Sequence, residues 1–415
     1  MEKSIFEMSR QNAFEIAENE VAAELDNEVD SLLNSDVVCR EIDGVSVMVG
    51  KDMAKKIPHF VSEFSLCPQV AILYIDDIAH IARELVILMN NSGFRVFEMS
   101  LPKNKSITEQ YKMLDDIPDF VRFTLGVGSG RICELCALYS KRQNLDFALF
   151  ATAPSSDCYL SYEKTPKFVA ADEEILNNCP KQLIAAGTGI VLSQPLKEFE
   201  RKVEGLLFET TFGDEIKKKP KIFTKSIILE GEIVDAVELF WKLAEISKQN
   251  KRQSFVSSAE ILADVIARAN GSRVLGEYVF MASYLLAGYY FCFLSSDCQD
   301  VLLPPDKVKT MKLLEKKCGF DYFSLVKRID ILSINKYFRI KYIINEYRKD
   351  LLSSLCDLDF KSAQKFWRRQ YSDAGYWLSK TFSAKELLTL LSLSGELAGG
   401  ILGFAKASGA LENYI

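Results

Sequence analysis

Two short stretches of this chain gather residue types that could do chemistry. In Gly126-Val127-Gly128-Ser129-Gly130 the glycines would let backbone N–H groups come close to a phosphate. A helix beginning directly behind the loop would add the partial positive charge of its N-terminus. A tight strand-to-helix turn uses glycine equally well, and the run is not the full six-residue dinucleotide fingerprint. The second stretch, Ala151-Thr152-Ala153-Pro154-Ser155-Ser156-Asp157, runs on to Tyr159 and Ser161. It sets hydroxyls and one carboxylate directly after a strand, where α/β sheets bind their ligands. The alternative is a helix N-cap, for which Ser156 and Asp157 are both suited. Cys133 and Cys136 form a Cys-x-x-Cys pair on a helical pattern with no second pair, which argues against a metal or redox role.

The elements that must position these residues can be read from periodicity. Val45–Val49, Val70–Ile75, Arg95–Met99, Val121–Leu125 and Phe147–Ala151 read as strands. Between them, Met53–Phe64, Ile78–Met89, Ile107–Phe120 and Ile132–Arg142 read as helices, so residues 39–178 predict a mostly parallel sheet with helices on both faces. Beyond about Cys179 long helical patterns take over, at Val234–Lys248, Ser257–Ala269, Glu277–Leu294, Pro305–Lys317 and Ala384–Leu393. Residues 179–415 therefore predict an all-helical domain. Residues 1–38 read as an acidic helical extension, with Val21, Leu25, Val29 and Leu32 on one face, either docked on the body or used in a dimer.

Composition narrows the function classes. At 415 residues the chain can hold two domains. A net charge of −6 and the lack of an arginine stripe argue against nucleic acid as a partner. The run Lys217-Lys218-Lys219-Pro220-Lys221 is most simply an exposed loop. Ten scattered cysteines suit a reducing cytosol, and the acidic start Met1-Glu2-Lys3 is unlike a signal peptide, so a cytoplasmic protein is expected. Tyr278–Leu294 carries no charge and approaches the ~20 residues that span a bilayer. Its tyrosines, Ser283 and Gly288 suit a buried helix better, so no membrane contact is expected.

Taken together, the two motifs resemble the glycerol-1-phosphate dehydrogenases of the dehydroquinate synthase-like, or iron-containing alcohol dehydrogenase, superfamily. That family's loop Gly-Ser-Gly-Thr-Ile-Asn-Asp is matched by Gly128-Ser129-Gly130-Arg131-Ile132-Cys133-Glu134. Its Thr-Ala-Pro-Ser segment ending in Asp-Gly-Tyr-Ala-Ser is matched by Thr152 through Ser161, with Cys158 in place of the glycine. Pro180–Gly189 resembles the Ala-Gly element that opens the family's helical domain, and Val47–Phe60 resembles its first strand and helix. The resemblance covers about residues 45–300. It implies a Rossmann-like nucleotide-binding domain followed by a helical one. It further implies that Gly128, Ser129, Gly130, Thr152, Ser155 and Ser161 touch NAD or NADP, and that Asp157 binds substrate hydroxyls.

The resemblance breaks at the metal. The family's ligands, one Asp and two His, fall here on Ile190, Ile261 and Leu275, and a further substrate-contacting His falls on Val265. The chain has only two histidines, His59 and His80, both far away in the nucleotide domain, so no bound metal is expected. Four apolar replacements suggest a site refilled as core. A substitute carboxylate set from Glu260, Asp264 and Glu277 is conceivable, but helix-end charge is the simpler reading. Only 33 residues separate Asp157 from Ile190, so the β-hairpin that family members carry there is expected to be missing, with Thr165-Pro166-Lys167 a truncated crossing.

These readings converge on a dinucleotide-binding but catalytically silent or strongly diverged relative, serving as a sensor or partner subunit and taking a dinucleotide or phosphorylated small molecule. An active metal-independent oxidoreductase or sugar-phosphate enzyme, with Asp157 and Glu260 as acid and base, is the second reading. A pure interaction protein with an empty cleft is the third, and homo-oligomers or a partner protein are compatible with all three.

Overall fold

In the computed structural model the described residues are 37–65, 67–162, 164–207, 228–229, 232–233, 235–252, 257–269, 276–295, 312 and 346–355. The expected N-terminal helix, the lysine run at 217–221, Leu275 and the expected helices Pro305–Lys317 and Ala384–Leu393 lie outside them, apart from Lys312 within the first of those two helices.

A seven-stranded sheet organises the first half. Its strands are β1 (Val38–Ile42), β2 (Val45–Gly50), β3 (Gln69–Ile75), β4 (Arg95–Leu101), β5 (Phe123–Val127), β6 (Asp146–Ala151) and β7 (Phe168–Asp172). They lie in the order β1-β2-β7-β6-β5-β3-β4, and every pair is parallel except β1 with β2. The helices between them are α1 (Met53–Phe64), α2 (Ala79–Asn91), α3 (Ile107–Met113), α4 (Arg131–Gln143) and α5 (Glu173–Asn178). Chain order reverses direction across the sheet between β3 and β5, because β4 lies outside β3 while β5, β6 and β7 run the other way.

Alternation along the strands puts Val70, Ile72, Tyr74, Phe123, Leu125, Val127, Ala148 and Phe150 on one face. There they form a core with Ile57, Phe60 and Val61 of α1 and Ala82, Leu85 and Met89 of α2. Asp172 closes this layer at the end of β7. Its carboxylate accepts the amides of Met53, Glu174 and Ile175, at 2.9, 2.9 and 3.2 Å, and so holds the starts of both α1 and α5.

The α/β pattern is as expected, with three local differences. β1 and β7 were not anticipated. β7 is five residues buried on both sides, so Phe168-Val169-Ala170-Ala171-Asp172 has no polar alternation to betray it. The helix foreseen over Ile107–Phe120 stops at Met113 and relaxes into a 3-10 turn, Leu114–Asp116, ahead of Pro118.

The described part of the second half is mainly helical, as expected: α6 (Lys181–Leu207), α7 (Ala236–Arg252), α8 (Ser258–Ala269) and α9 (Gly276–Ser295). It also carries a small antiparallel pair, β8 (Ile228–Leu229) with β9 (Glu232–Ile233). α6 packs against α7, α8 and α9. α9, uncharged from Tyr278 to Leu294, is a core helix, with Val279, Phe280, Ala282 and Leu286 buried, and Tyr290 donates to the buried Glu200 of α6 at 2.5 Å. Among the described residues no helix is long and apolar enough to cross a membrane.

The chain divides into two compact units. One holds residues 1–128, 135–152 and 166–175; the other holds 129–134, 153–165 and 176–415. The tips of both chemical motifs are thus counted with the helices, while the strands that launch them belong to the sheet.

Candidate functional site

β5 and β6 are neighbours in parallel register, with Gly126 opposite Leu149 and Val127 opposite Phe150, so their C-terminal ends deliver the two motifs side by side. Gly128 and Gly130 have φ of 142° and 55°, conformations that side-chain-bearing residues rarely adopt. The amide of Gly128 donates to Phe150 O at 2.9 Å, and α4 starts at Arg131.

Beyond the strands the motifs hold each other directly. Ser129 Oγ and Ser155 Oγ are 2.7 Å apart, and the Gly130 amide donates to Ser156 Oγ at 3.0 Å. Cys158 adds a further tie, its Sγ lying 2.9 Å from Ser156 Oγ and donating to Gly130 O at 3.3 Å. Ser156 is therefore a loop-to-loop link and not a helix cap: no helix begins between residues 153 and 162. The family resemblance did not assign this role to Ser156 or Cys158, and no sequence spacing could have, because the partners are 26 and 28 residues away.

The second motif is fixed to the helices. The carbonyl of Pro154 packs so closely on α6 that a Cβ at Gly187 would lie 1.9 Å from its oxygen. The amide of Leu160 donates to Ser247 Oγ of α7 at 2.5 Å, and the buried Tyr159 ring meets Phe240 edge-on at 5.1 Å. Tyr159 also donates its hydroxyl to Ala153 O at 2.8 Å. A similar steric demand holds at the start of α9, where a Cβ at Gly276 would lie 2.5 Å from Ala186 O. Pro180–Gly189 is thus a packing surface whose glycine is required by contact.

Of the remaining expected ligand contacts, Thr152 is buried at the end of β6, while Asp157 and Ser161 are half-buried in the loop that follows. Burial foremost, then nearby Cys158 and Glu134, push the Tyr162 phenol upward, and Tyr159 is shifted the same way, again chiefly by burial. Both phenols stay protonated at neutral pH, where each can donate one hydrogen bond and its oxygen can accept another. The Glu134 carboxyl is also raised by burial, against the opposing pull of Arg131. Cys133 and Cys136 are both buried in α4, and burial raises the Cys136 thiol, which keeps it unreactive.

The positions aligned with metal ligands offer no donors. Ile190 is half-buried in α6, and its carbonyl accepts Ser193 Oγ at 2.7 Å and Gln194 Nε2 at 3.1 Å, ahead of the in-helix Pro195. Ile261 lies in α8. Glu260, the best carboxylate for a substitute set, is already engaged. It pairs with Lys197 of α6 at 2.7 Å, accepts the Ser257 amide at 2.9 Å, and its own amide donates to Ser257 Oγ at 3.2 Å. That is a capping box plus an ion pair, so the helix-end reading of Glu260 holds. Among the described residues no group of three His, Cys, Asp or Glu side chains converges as a metal site would. His59 pairs with Glu63 at 3.2 Å and His80 is exposed on α2.

No family model matches the chain. Curated relatives do. The glycerol-1-phosphate dehydrogenase [NAD(P)+] of Pyrococcus abyssi is 24% identical over 203 residues, covering 45% of this chain and 58% of the relative. The enzyme of the same name from Methanosarcina acetivorans is 26% identical over 184 residues, covering 40% of this chain and 51% of that one. The chain thus matches little more than half the length of these relatives. Among solved structures, glycerol dehydrogenase from Schizosaccharomyces pombe aligns with a TM-score of 0.46 and 13% identity, over 79% of this chain and 91% of that one. A 2-deoxy-scyllo-inosose synthase aligns with a TM-score of 0.46 and 11% identity, over 68% and 85%.

Proposed function

Because the chain is a divergent relative of the glycerol-1-phosphate dehydrogenases, we propose that it binds a nicotinamide dinucleotide at its glycine loop and no longer carries out metal-dependent hydride transfer. The observation that supports binding is the joining of the two motifs. Gly128 and Gly130 keep backbone conformations open to a phosphate, and Ser129 and Ser155 present paired hydroxyls beside the start of α4. A pyrophosphate arriving there has to share or take over the Gly130 amide now held by Ser156. Thr152 and Ser161 extend the same reading, and Asp157 is the carboxylate that would accept a ligand's hydroxyls.

A metal does not fit these residues. Ile190, Ile261 and Leu275 have no donor atoms, and the neighbouring Glu260 is held by Lys197 and Ser257. Without a Lewis acid the developing alkoxide loses stabilisation of several kcal/mol. At ~1.4 kcal/mol per tenfold, this amounts to several orders of magnitude in rate. Asp157 is no substitute, since an ionised carboxylate repels an alkoxide. The chain is then a nucleotide-responsive cytoplasmic sensor or partner subunit.

Two measurements test the reading. Calorimetric titration with NAD, NADH and their 2′-phosphorylated forms is expected to show saturable binding of at least one of them. Oxidation of glycerol 1-phosphate, and reduction of dihydroxyacetone phosphate, are expected to be undetectable with or without added zinc. Turnover near ~1 per second would overthrow silence, being within the ordinary enzyme range. An absence of binding at millimolar dinucleotide would overthrow the ligand.

A further inference from the structure

Two thiols meet at the start of α4, outside the groups assigned to a dinucleotide. The first is Cys158. It has a single S–H, which it gives to Gly130 O at 3.3 Å, so the 2.9 Å contact between its Sγ and Ser156 Oγ is a bond donated by the serine. Ser156 Oγ in turn accepts the Gly130 amide at 3.0 Å, and the three groups close a ring.

The second thiol is Cys133, in the first turn of α4. Gly130 O opens that helix by accepting the Glu134 amide at 3.3 Å. Residues three apart share a helix face, with Cβ positions roughly 5–6 Å apart. Each Cα–Cβ bond also tilts toward the helix N-terminus. The Cys133 side chain therefore leans back over the carbonyl on which the Cys158 sulfur rests. The phenols of Tyr159 and Tyr162 report the same closeness: after burial, Cys133 and Cys158 both push each of them upward. Both thiols are free, and exposure separates their roles. Cys158 is half-buried and can be reached by a small oxidant, whereas Cys133 is buried completely.

We propose that Cys158 and Cys133 are a peroxide-sensitive pair, in which Cys158 takes the oxidant and Cys133 closes a disulfide that makes the link between the two loops covalent. In the first step the Cys158 sulfur attacks one oxygen of hydrogen peroxide. The O–O bond breaks, a sulfenic acid forms, and the thiol proton leaves with hydroxide as water. The Cys133 sulfur then attacks the Cys158 sulfur, the S–O bond breaks, and the departing hydroxide takes the Cys133 proton as a second water. Peroxide gains two electrons and the thiols lose them. A disulfide needs Cα atoms about 4.4–6.8 Å apart. Cys158 lies in a loop with no helix of its own, so its thiol can leave Gly130 O and turn to Cys133 while α4 stays in place. All of these residues belong to one compact unit, and the pair does not depend on dinucleotide binding.

The experiment treats the reduced full chain with hydrogen peroxide and maps its thiols by differential alkylation and peptide mass spectrometry. A bond between the Cys133 and Cys158 peptides is expected, reversed by dithiothreitol. Oxidised protein is expected to melt at a higher temperature than reduced protein, since a cross-link restricts the unfolded chain. Cys133→Ala is expected to stop at the sulfenic acid, captured on Cys158 by dimedone. Cys158→Ser is expected to leave Cys133 unmodified and to lose the peroxide-induced shift in melting. Cys179 is the third thiol acting on the Tyr159 phenol, and Cys179→Ser is expected to leave the bond intact. A wild type in which Cys158 stays reduced, halts at the sulfenic acid or pairs with Cys179 overturns the proposal, and that result is read on wild type whatever the stability of the variants.

Discussion

Single side chains decide whether the glycine loop is a ligand site or only a turn, and Glu134 is the one whose charge can be tested by pH. It sits in the first turn of α4, where a carboxylate ordinarily gains from the helix dipole, yet burial raises its pKa. The raised value means the fold penalises the ionised form. The penalty is absent below the unfolded-state pKa, where the group is neutral in both states, and it is fully present above the folded-state pKa. Glu134→Gln is therefore expected to raise the urea midpoint at neutral pH, with the gain shrinking to nothing as the pH falls through the carboxylate range. A variant less stable than wild type at neutral pH would show instead that Glu134 is needed ionised. Sequence made the loop glycines and Ser155 legible because each motif is contiguous. It left Ser156 ambiguous, since a hydroxyl that caps a helix and one that reaches a neighbouring loop look identical in a string. Ser257 and Glu260 stand at the capping-box spacing, so that role was readable in principle. The pairing of Glu260 with Lys197 joins positions 63 residues apart and was not.

Elements were legible where period and length agreed, as in α1 and α8, and lost where they did not. β7 reads as a short apolar stretch after Thr165-Pro166-Lys167, because strands buried on both faces have no alternation. α6 was seen only as a motif: its glycines and Pro195 argue against 27 continuous helical residues when packing is invisible. Packing supplies the reason for one of those glycines. The Pro154 carbonyl rests on the backbone of α6 at Gly187, and Leu243 of α7 closes the same spot, its Cδ1 lying 2.9 Å from a Cβ built there. Backbone cannot swing aside as a flexible side chain can, so Gly187→Ala must push the second motif away from the helix. The expected loss is about 1–3 kcal/mol or more of stability, the range for overpacking a filled core. Dinucleotide affinity should fall along with it, since Ser155 and Ser156 travel with Pro154. Denaturant unfolding and cofactor titration of one variant give both readouts. An alanine protein with wild-type stability and affinity would show that the loop is not braced by α6.

At the scale of the whole molecule, a dehydrogenase-like chain has two separable ways to gain stability from what it binds: a dinucleotide on the sheet side and a metal on the helical side. Anything that binds only the folded state raises stability by RT ln(1 + [L]/Kd), about 2.7 kcal/mol at a hundredfold excess over Kd. A structural or catalytic metal does the same, and its removal by a chelator takes that contribution away. Ile190, Ile261 and Leu275 supply no donors, and α6 and α8 are instead joined by Lys197 and Glu260, an ion pair that no chelator reaches. The melting curve of the purified protein is therefore expected to be unchanged by EDTA or by added zinc, and to move upward with NADH in a concentration-dependent way. Restoring Ile190→Asp, Ile261→His and Leu275→His together tests whether only the ligands were lost. If the surrounding space has been refilled by apolar side chains, the triple variant is expected to melt lower, bind no zinc stoichiometrically and stay inactive, because three polar groups then enter packed surroundings without partners. A triple variant that gains one zinc per chain and turns over glycerol 1-phosphate would show that the pocket survived the loss of its ligands. A chelator-sensitive wild type would place a metal on residues other than these three.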